Sequence, residues 1–221
     1  MPNTQTGGEK MKKYLYIATG SMVAFILWTI GVSFIDVGAI GPENSSVGFS
    51  AVNEFFHKLT GVHMSLYVIT DWLGLVPLLL MTGFAITGLM QLFKRRSFFK
   101  VDYSLLVLGG FYVIVFTAYI LFEVFVINYR PVLIDGILEA SYPSSTTMLV
   151  MCVMPTAISQ FNARIKSRKI RLCLSFTIAS FTIFMVLGRL ISGVHWLSDI
   201  VGGALLSTGL LMMYYFTVSL K

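Results

Sequence analysis

Apolar runs of about 20 residues recur along the whole chain, and this repetition limits its possible folds more than any other feature. Of 221 residues, 56% are hydrophobic and only 12% are charged, whereas an average soluble domain has about 25% charged residues. Each run is long enough to cross the hydrocarbon core of a bilayer as a helix. The sequence therefore predicts a single membrane domain over residues 1–221, with no separate soluble domain.

The predicted fold class is all-α, a bundle of six transmembrane helices. Residues 1–12 are predicted to form a flexible cytoplasmic tail. The first span is predicted to be a retained anchor helix, since it is long and lacks the small-residue cleavage pattern of a signal peptide. The fourth span is short, and the hydroxyl of Ser144 is predicted to lengthen it by capping its first turn. The six spans are predicted at 14–35, 71–93, 103–127, 146–161, 172–191 and 197–220.

Basic residues are distributed unevenly among the ends of these spans. Of the 16 lysines and arginines, three lie within 10–13, four within 94–100, five within 164–171, and one is Lys221. By the positive-inside rule, these ends face the cytoplasm. The sequence therefore predicts an integral protein of a plasma membrane, of the bacterial cytoplasmic type, with both termini in the cytoplasm.

Three basic residues remain on the opposite, outer side. Lys58 has a structural explanation, because apolar residues around it recur at helical spacing and predict an amphipathic helix over residues 50–60 on the outer surface. Arg130 and Arg189 instead lie at the outer ends of the third and fifth spans, beside other polar residues. Cationic side chains kept on this side require an anionic partner or a function.

Several function classes find no support in the sequence. No Cys or His spacing is typical of a metal site, no glycine-rich loop indicates a nucleotide, and no cofactor is predicted. The two cysteines lie in or beside predicted spans, so no disulfide framework is predicted. The net charge of +6 could indicate a nucleic-acid partner, but its concentration at the cytoplasmic span ends favours membrane lipids instead. Gly193 and the pair Gly202 and Gly203 carry no specific signal.

His195 and Asp199 lie four residues apart at the predicted start of the sixth span. At that spacing the two side chains share a helix face, and the carboxylate can accept the proton of imidazole Nδ1. Nε2 is then free and more basic, which a nucleophilic histidine requires. The alternative interpretation is an acidic residue favoured by the helix dipole, next to an interfacial histidine.

Two arginines and a serine-rich turn reach the same outer surface. The guanidinium groups of Arg130 and Arg189 can fork around phosphate oxygens. Ser144, Ser145 and the backbone amides at the start of the fourth span can form a second cradle for the same anion. Arginines at span ends also serve as interfacial anchors, but two of them beside a His and Asp pair favour a phosphate site.

These segments resemble the three-part signature of the type 2 phosphatidic acid phosphatase superfamily of membrane lipid phosphatases. The resemblance implies that His195 accepts the phosphoryl group, that Asp199 orients it, and that Arg130, Arg189 and Ser144 bind the phosphate without a metal. The matching residues are Arg130-Pro131, then Pro143-Ser144-Ser145-Thr146, then Arg189, His195 and Asp199 at the family's spacing.

The chain departs from the family pattern in each part of the signature. Glu123 stands where the first part begins with Lys; it reverses a charge that should help bind phosphate, although it could pair with Arg130 two turns away. Ser145-Thr146 stand where the second part ends in Gly-His, and Gly188 stands where the third begins with Ser. In the family the missing histidine is the general acid for the leaving alcohol, which a threonine hydroxyl cannot replace near neutral pH.

The sequence therefore indicates a lipid-phosphate phosphohydrolase that acts at the outer leaflet through a phosphohistidine. A catalytically impaired homologue that binds or translocates lipid phosphates is the main alternative, and a transporter is less favoured because ionisable residues cluster at one interface. Glu123, His63, Asp71 and Glu139 are candidate replacements for the missing acid, although Asp71 could instead cap the second span. The lipid and the oligomeric state stay open.

Loss of the general acid also predicts a substrate preference. A phosphate monoester leaves as an alkoxide whose conjugate acid has a pKa near that of water, about 15.7, so departure without a proton donor is very slow. A diphosphate loses a phosphate monoester, whose second pKa is about 6, and needs little protonation. The sequence therefore predicts more activity on polyprenyl diphosphates than on phosphatidic acid.

Overall fold

The computed structural model describes residues 4–221, with side chains from residue 7 onward. This part of the chain forms eight α-helices and no β-strand apart from isolated bridges, which confirms the all-α fold class. The helices are α1 Thr4–Phe34, α2 Ser50–Thr60, α3 Met64–Leu73, α4 Leu75–Arg95, α5 Tyr103–Val124, α6 Ser145–Arg164, α7 Arg168–Ile191 and α8 Leu197–Val218.

Five helical segments in the described residues are long and apolar enough to cross a membrane. They are α1, the continuous segment Met64–Arg95 that joins α3 to α4, and the helices α5, α7 and α8. α6 has 20 residues and could reach across a bilayer, but it is the least apolar of the long helices. The count of six transmembrane helices therefore stays a prediction.

The low hydropathy of α6 follows from its place between α4, α5, α7 and α8. Its polar side chains bond to neighbouring helices instead of facing lipid. The hydroxyl of Thr156 lies 3.0 Å from that of Tyr112 on α5, and Gln160 donates to the hydroxyl of Tyr214 on α8 at 2.8 Å. Hydrogen bonds between membrane helices contribute about 0.6 kcal/mol each on average, so these side chains are tolerated there.

Two helices begin earlier than predicted. α1 begins at Thr4, so the predicted flexible tail is helical in its described part. The residues 9–13 just before the apolar run are good helix formers, whereas Gly7 and Gly8 are not. Residues 1–3 lie outside the described residues. α3 begins at Met64 rather than at position 71, so Asp71 lies inside a helix and cannot be its N-cap. Gly74 separates α3 from α4, and its N–H contacts the carbonyls of the preceding turn.

Two local predictions are confirmed. The outer amphipathic helix is α2, with the predicted bounds, and its apolar residues Val52, Phe55 and Leu59 are exposed while Asn53 is buried. Ser144 caps α6, because its Oγ accepts the N–H of Thr147 at 3.4 Å. α2 is thereby positioned to lie along the surface of the bundle with its apolar side outward.

The two ends of the bundle differ in chemistry. At one end Asp102 pairs with Arg95 at 3.0 Å and with Arg164 at 3.8 Å, so the basic segments that follow α4 and α6 converge there. At the other end the indole N–H of Trp196 donates to the carbonyl of Tyr129 at 2.7 Å. The connections α5–α6 and α7–α8 therefore meet at the end opposite the basic segments, where the candidate site lies.

Candidate active site

His195 lies in the short connection between α7 and α8, and its ring is buried beside Asp199. The separation from Nδ1 to Oδ2 of Asp199 is 3.6 Å, which is longer than a hydrogen bond. The same carboxylate oxygen accepts the backbone N–H of Trp196 at 2.9 Å. At this distance the predicted imidazole hydrogen bond is not formed, and the oxygen bonds instead to the turn that carries His195.

Asn128 is a buried partner of Asp199 that sequence reasoning missed. Its amide nitrogen lies 3.4 Å from Oδ1 of Asp199, and its amide oxygen accepts the backbone N–H of Gly48 at 3.3 Å. The backbone N–H of Ser144 donates to the carbonyl of Asp199 at 3.0 Å. These bonds join two connections of the chain, α1–α2 and α5–α6, to the first turn of α8, so Asp199 holds the site together as well as facing His195.

Arg130 covers the other edge of the imidazole. Its Nη1 lies 3.4 Å from Nε2 of His195, and its Nε lies 2.9 Å from Oε2 of Glu139. The predicted pair between Arg130 and Glu123 is wrong, because α5 ends at Val124 and the two residues do not continue one helix. Arg130 is instead held by Glu139, which faces it across the loop. The backbone N–H of Arg130 also donates to the carbonyl of Glu139 at 3.0 Å.

The environment of His195 keeps its imidazole neutral. Burial lowers the pKa of His195 well below 6.5, and the positive charges of Arg130 and Arg189 lower it further. Because Nε2 faces a guanidinium donor, its lone pair is the acceptor and the single ring proton belongs on Nδ1. A neutral imidazole with that tautomer has its nucleophilic lone pair at Nε2.

Arg189 ends α7 as a buried cation with free donors. Its Nη2 donates to Oδ1 of Asp71 at 2.8 Å and to the hydroxyl of Thr146 at 2.6 Å. Within residues 4–221 no acceptor reaches its Nε or Nη1, although only 2% of the side chain is exposed. Buried guanidinium donors without partners are costly, so this geometry suits an anionic ligand.

Tyr67 on α3 lies between the two arginines. Its ring centroid is 5.0 Å from Cζ of Arg189 and 5.9 Å from Cζ of Arg130, which are cation–π distances. Sequence reasoning missed this residue, because a tyrosine within an apolar helix carries no signal of its own. The three side chains together form a cationic surface with an aromatic face.

A cavity of about 900 Å³ opens next to this surface. One part of its wall is polar and is formed by α3, α6, α7 and the loop before α6, and the other part is apolar and comes mainly from α4 and α5. His195 does not line the cavity, since Arg130 stands in front of it. The polar lining residues include Tyr67, Asp71, Glu123, Arg130, Glu139, Ser145, Thr146 and Arg189, and the apolar ones include Leu75, Leu78, Val115, Phe116 and Leu149.

Residues 124–220 match the model of the PAP2 superfamily. The fold is also similar to the crystal structure of the first transmembrane PAP2 type phosphatidylglycerolphosphate phosphatase from Bacillus subtilis, with a TM-score of 0.57. The match covers 91% of this chain and 94% of that chain at 19% sequence identity. No curated protein matches the sequence.

The PAP2 assignment confirms the predicted family, and the helices make this chain an integral, multi-pass membrane protein. Among the PAP2 motif residues, Ser145 and Thr146 line the cavity. Ser144 is fully buried, and its hydroxyl is occupied by the N–H of Thr147 rather than directed into the cavity. Its place in the phosphate cradle therefore stays a prediction.

The candidate replacements for the PAP2 histidine lie at different places. Asp71 and Glu139 line the cavity, but each is paired with an arginine. Glu123 lines it from α5 without such a pair among the described residues. His63 precedes α3 outside the cavity, and its Nε2 lies 2.9 Å from the carbonyl of Thr60. The described residues contain no group of three or more His, Cys, Asp or Glu that could hold a metal ion.

Two glycines of this PAP2 site are required by close packing. Gly193 has φ +68°, and a Cβ there would come within 2.0 Å of the carbonyl oxygen of Gly61. Gly202 on α8 faces the ring of Tyr142, which a Cβ would approach to 2.6 Å. No role was predicted for these glycines from the sequence, since their neighbours are distant along the chain. Gly202 lets the loop before α6 pack against α8, and Gly193 lets the turn at His195 pack against the connection between α2 and α3.

Proposed function

We propose that this protein is a phosphohydrolase of membrane lipids that acts at the outer leaflet. His195 takes the phosphoryl group from a lipid phosphate or diphosphate, and water then releases inorganic phosphate. No metal or cofactor takes part in this scheme. The PAP2 assignment, the similarity to a transmembrane phosphatase fold and the chemistry of the cavity support the proposal.

The single observation that carries the proposed function is the pair of arginines at the polar end of a cavity that is otherwise apolar. Arg189 has buried donors without partners, and Arg130 is its counterpart on the other side of Tyr67. Two guanidinium groups are suited to a phosphate dianion. An apolar wall directly beside them suits the hydrocarbon chain of a lipid.

The chemistry begins with displacement of Arg130 from the nucleophile. Because Nη1 of Arg130 covers Nε2 of His195, an arriving phosphate must draw the guanidinium onto its own oxygens before Nε2 can reach phosphorus. The N–P bond then forms as the bond from phosphorus to the leaving oxygen breaks. Asp199 faces Nδ1 and stabilises the positive charge that the ring gains.

The leaving group decides which substrates react readily. Thr146 donates no proton near neutral pH, and its hydroxyl is already an acceptor for Arg189. A diphosphate can release its lipid monophosphate with little protonation, whereas a monoester needs a proton donor for its alkoxide. We therefore expect faster turnover of a polyprenyl diphosphate than of phosphatidic acid.

A second candidate function is binding of lipid phosphates without turnover. The observation that favours it is the position of Arg130, which leaves His195 only 3% exposed. If Arg130 stays in place after the phosphate binds, the arginines retain the ligand and no phosphohistidine forms.

The two functions are separated by measuring phosphate release from phosphatidic acid, phosphatidylglycerol phosphate and a polyprenyl diphosphate with protein purified in detergent. We expect release from at least one lipid, and its loss in His195→Ala. His63→Ala is the matched control, because that histidine lies outside the cavity. Binding of a lipid by both the natural protein and His195→Ala, without release by either, would favour the second function.

A further inference from the structure

The cavity holds few groups that could protonate a leaving alkoxide. Asp71 and Glu139 are paired with Arg189 and Arg130, and a carboxylate in such a pair has no proton to give. His63 lies outside the cavity. Glu123 lines the cavity but forms an ion pair with neither arginine. With these groups set aside, Tyr67 is a proton-bearing residue whose ring contacts both guanidinium groups.

Tyr67 is placed for contact with a bound phosphate. Its ring lies within 6 Å of both guanidinium carbons, and the residue lines the cavity. Arg130 in turn reaches Nε2 of His195 at 3.4 Å. A phosphate held by the two arginines in front of His195 therefore lies against Tyr67.

We propose that Tyr67 is the general acid for the leaving group, in the role that the family assigns to the histidine missing at position 146. This assignment rests on the proposed function. Tyrosine is among the side chains that act as general acids, and a phenol with a pKa of about 10 retains its proton at neutral pH. The neighbouring guanidinium groups stabilise the phenolate that remains after the proton is given.

The two half-reactions balance with Tyr67 as the only proton donor. In the first, Nε2 of His195 bonds to phosphorus, the bond to the lipid oxygen breaks, and the Tyr67 proton moves to that oxygen. In the second, a water oxygen attacks phosphorus, the N–P bond breaks, and one water proton returns to the Tyr67 phenolate. The products are the lipid alcohol and hydrogen phosphate, with His195 and Tyr67 in their starting forms.

This role predicts an effect that depends on the leaving group. Tyr67→Phe keeps the aromatic ring over both guanidinium groups and removes only the hydroxyl. In a single turnover, release of diacylglycerol from phosphatidic acid should slow by about 100-fold or more, the usual size of a general-acid contribution. Release of farnesyl phosphate from farnesyl diphosphate should slow by less than about threefold, because that leaving group needs little protonation.

The controls separate a chemical role from a structural one. Tyr103→Phe removes a hydroxyl at the opposite end of the bundle, where it donates to Thr217, and should leave both rates unchanged. Adding Thr146→His to Tyr67→Phe should restore part of the phosphatidic acid reaction. Equal slowing of both substrates by Tyr67→Phe would mean that the ring only positions the arginines, and unchanged rates would remove Tyr67 from the mechanism.

A failure of this inference is distinguishable from a failure of the proposed function. If the natural protein turns over neither lipid, the proposed phosphohydrolase function is wrong. The same conclusion follows if the His195→Ala variant still turns a lipid over. The natural protein also gives an independent test that needs no variant. At alkaline pH, once the Tyr67 phenol has lost its proton, the protein's rate on phosphatidic acid should fall relative to that on farnesyl diphosphate, and a ratio that stays constant while the phenol ionises would overturn the assignment.

Discussion

Nη1 of Arg130 lies 3.4 Å from Nε2 of His195, on the edge of the imidazole opposite Asp199. In the proposed mechanism, the same guanidinium covers the nucleophile and binds the phosphate. A substrate that attracts Arg130 exposes Nε2 at the moment when phosphorus is in reach, whereas water alone does not. This relationship links the binding of an anion to the start of the chemistry.

Asp199→Asn should lower turnover without abolishing substrate binding. The amide oxygen can still accept the N–H of Trp196, but the negative charge 3.6 Å from Nδ1 is lost when His195 becomes cationic. We expect a loss between about 10- and 10⁴-fold in kcat, the upper value being that of a directly hydrogen-bonded His and Asp pair. Asp135→Asn, in an exposed turn, is the matched control, and equal kcat values in the two variants would contradict the role of Asp199.

The rate should stay constant as the pH falls through 6.5. The pKa of His195 is lowered by burial and then by the two arginines, so the imidazole stays neutral in the folded protein below the pKa of an ordinary histidine. A fall centred near 6.5 in the pH profile of kcat, measured at saturating lipid so that titration of the free phosphate does not enter, would contradict this. The free energy of unfolding should depend on the same protonation. The contribution of neutral His195 to that free energy is present above pH 6.5 and is lost as the pH falls from 6.5 towards the lower pKa of His195 in the folded state. His195→Gln should remove that part of the pH dependence of unfolding.

Glu139→Gln should strengthen substrate binding. Glu139 holds Nε of Arg130 at 2.9 Å and competes with a phosphate for the guanidinium. Because the carboxylate is partly exposed, the pair is worth at most about 1 kcal/mol, so KM should fall by about two- to fivefold while kcat changes little. Glu54→Gln on α2 removes an exposed partner of Lys58 far from the cavity and is the control. A raised KM in Glu139→Gln would show that the carboxylate orients Arg130 for the substrate.

The sequence was sufficient for the parts of the molecule that depend on local pattern. Apolar runs gave the long helices, and helical spacing gave α2 with its bounds. The cap at Ser144 was predictable because a hydroxyl before a helix has one local partner. The family motifs likewise gave candidate residues that lie at one end of the bundle.

Contacts between distant segments were beyond such reasoning. The partners of Arg130 and Arg189 depend on how a loop and two helices approach one another, so Glu139 and Asp71 could not be chosen over Glu123. Tyr67 and Asn128 carry no motif, and only the fold brings them to the arginines and to Asp199.

Gly193→Ala should destabilise the protein and reduce activity. Gly193 lies two residues before His195, the proposed nucleophile. It has φ +68°, and a Cβ there would meet the carbonyl oxygen of Gly61 at 2.0 Å. The left-handed conformation alone costs an alanine about 1–2 kcal/mol, and the contact must also be relieved by moving the turn. Gly83→Ala on α4, where a Cβ meets nothing within 4 Å, is the control. Thermal unfolding in detergent should show a lower midpoint for Gly193→Ala only, and equal midpoints would contradict the packing argument.

The last prediction concerns orientation, on which the outer-leaflet proposal depends. The basic segments after α4 and α6 meet around Asp102, at the end of the bundle opposite His195, and the positive-inside rule puts that end in the cytoplasm. With Cys173 replaced by serine and buried Cys152 retained, single cysteines at two exposed positions report each side. An impermeant maleimide added to intact cells should label Ser46→Cys, beside α2, and should label Lys166→Cys only after the membrane is opened. The reverse pattern would place His195 in the cytoplasm, and the lipid phosphate would then be drawn from the inner leaflet.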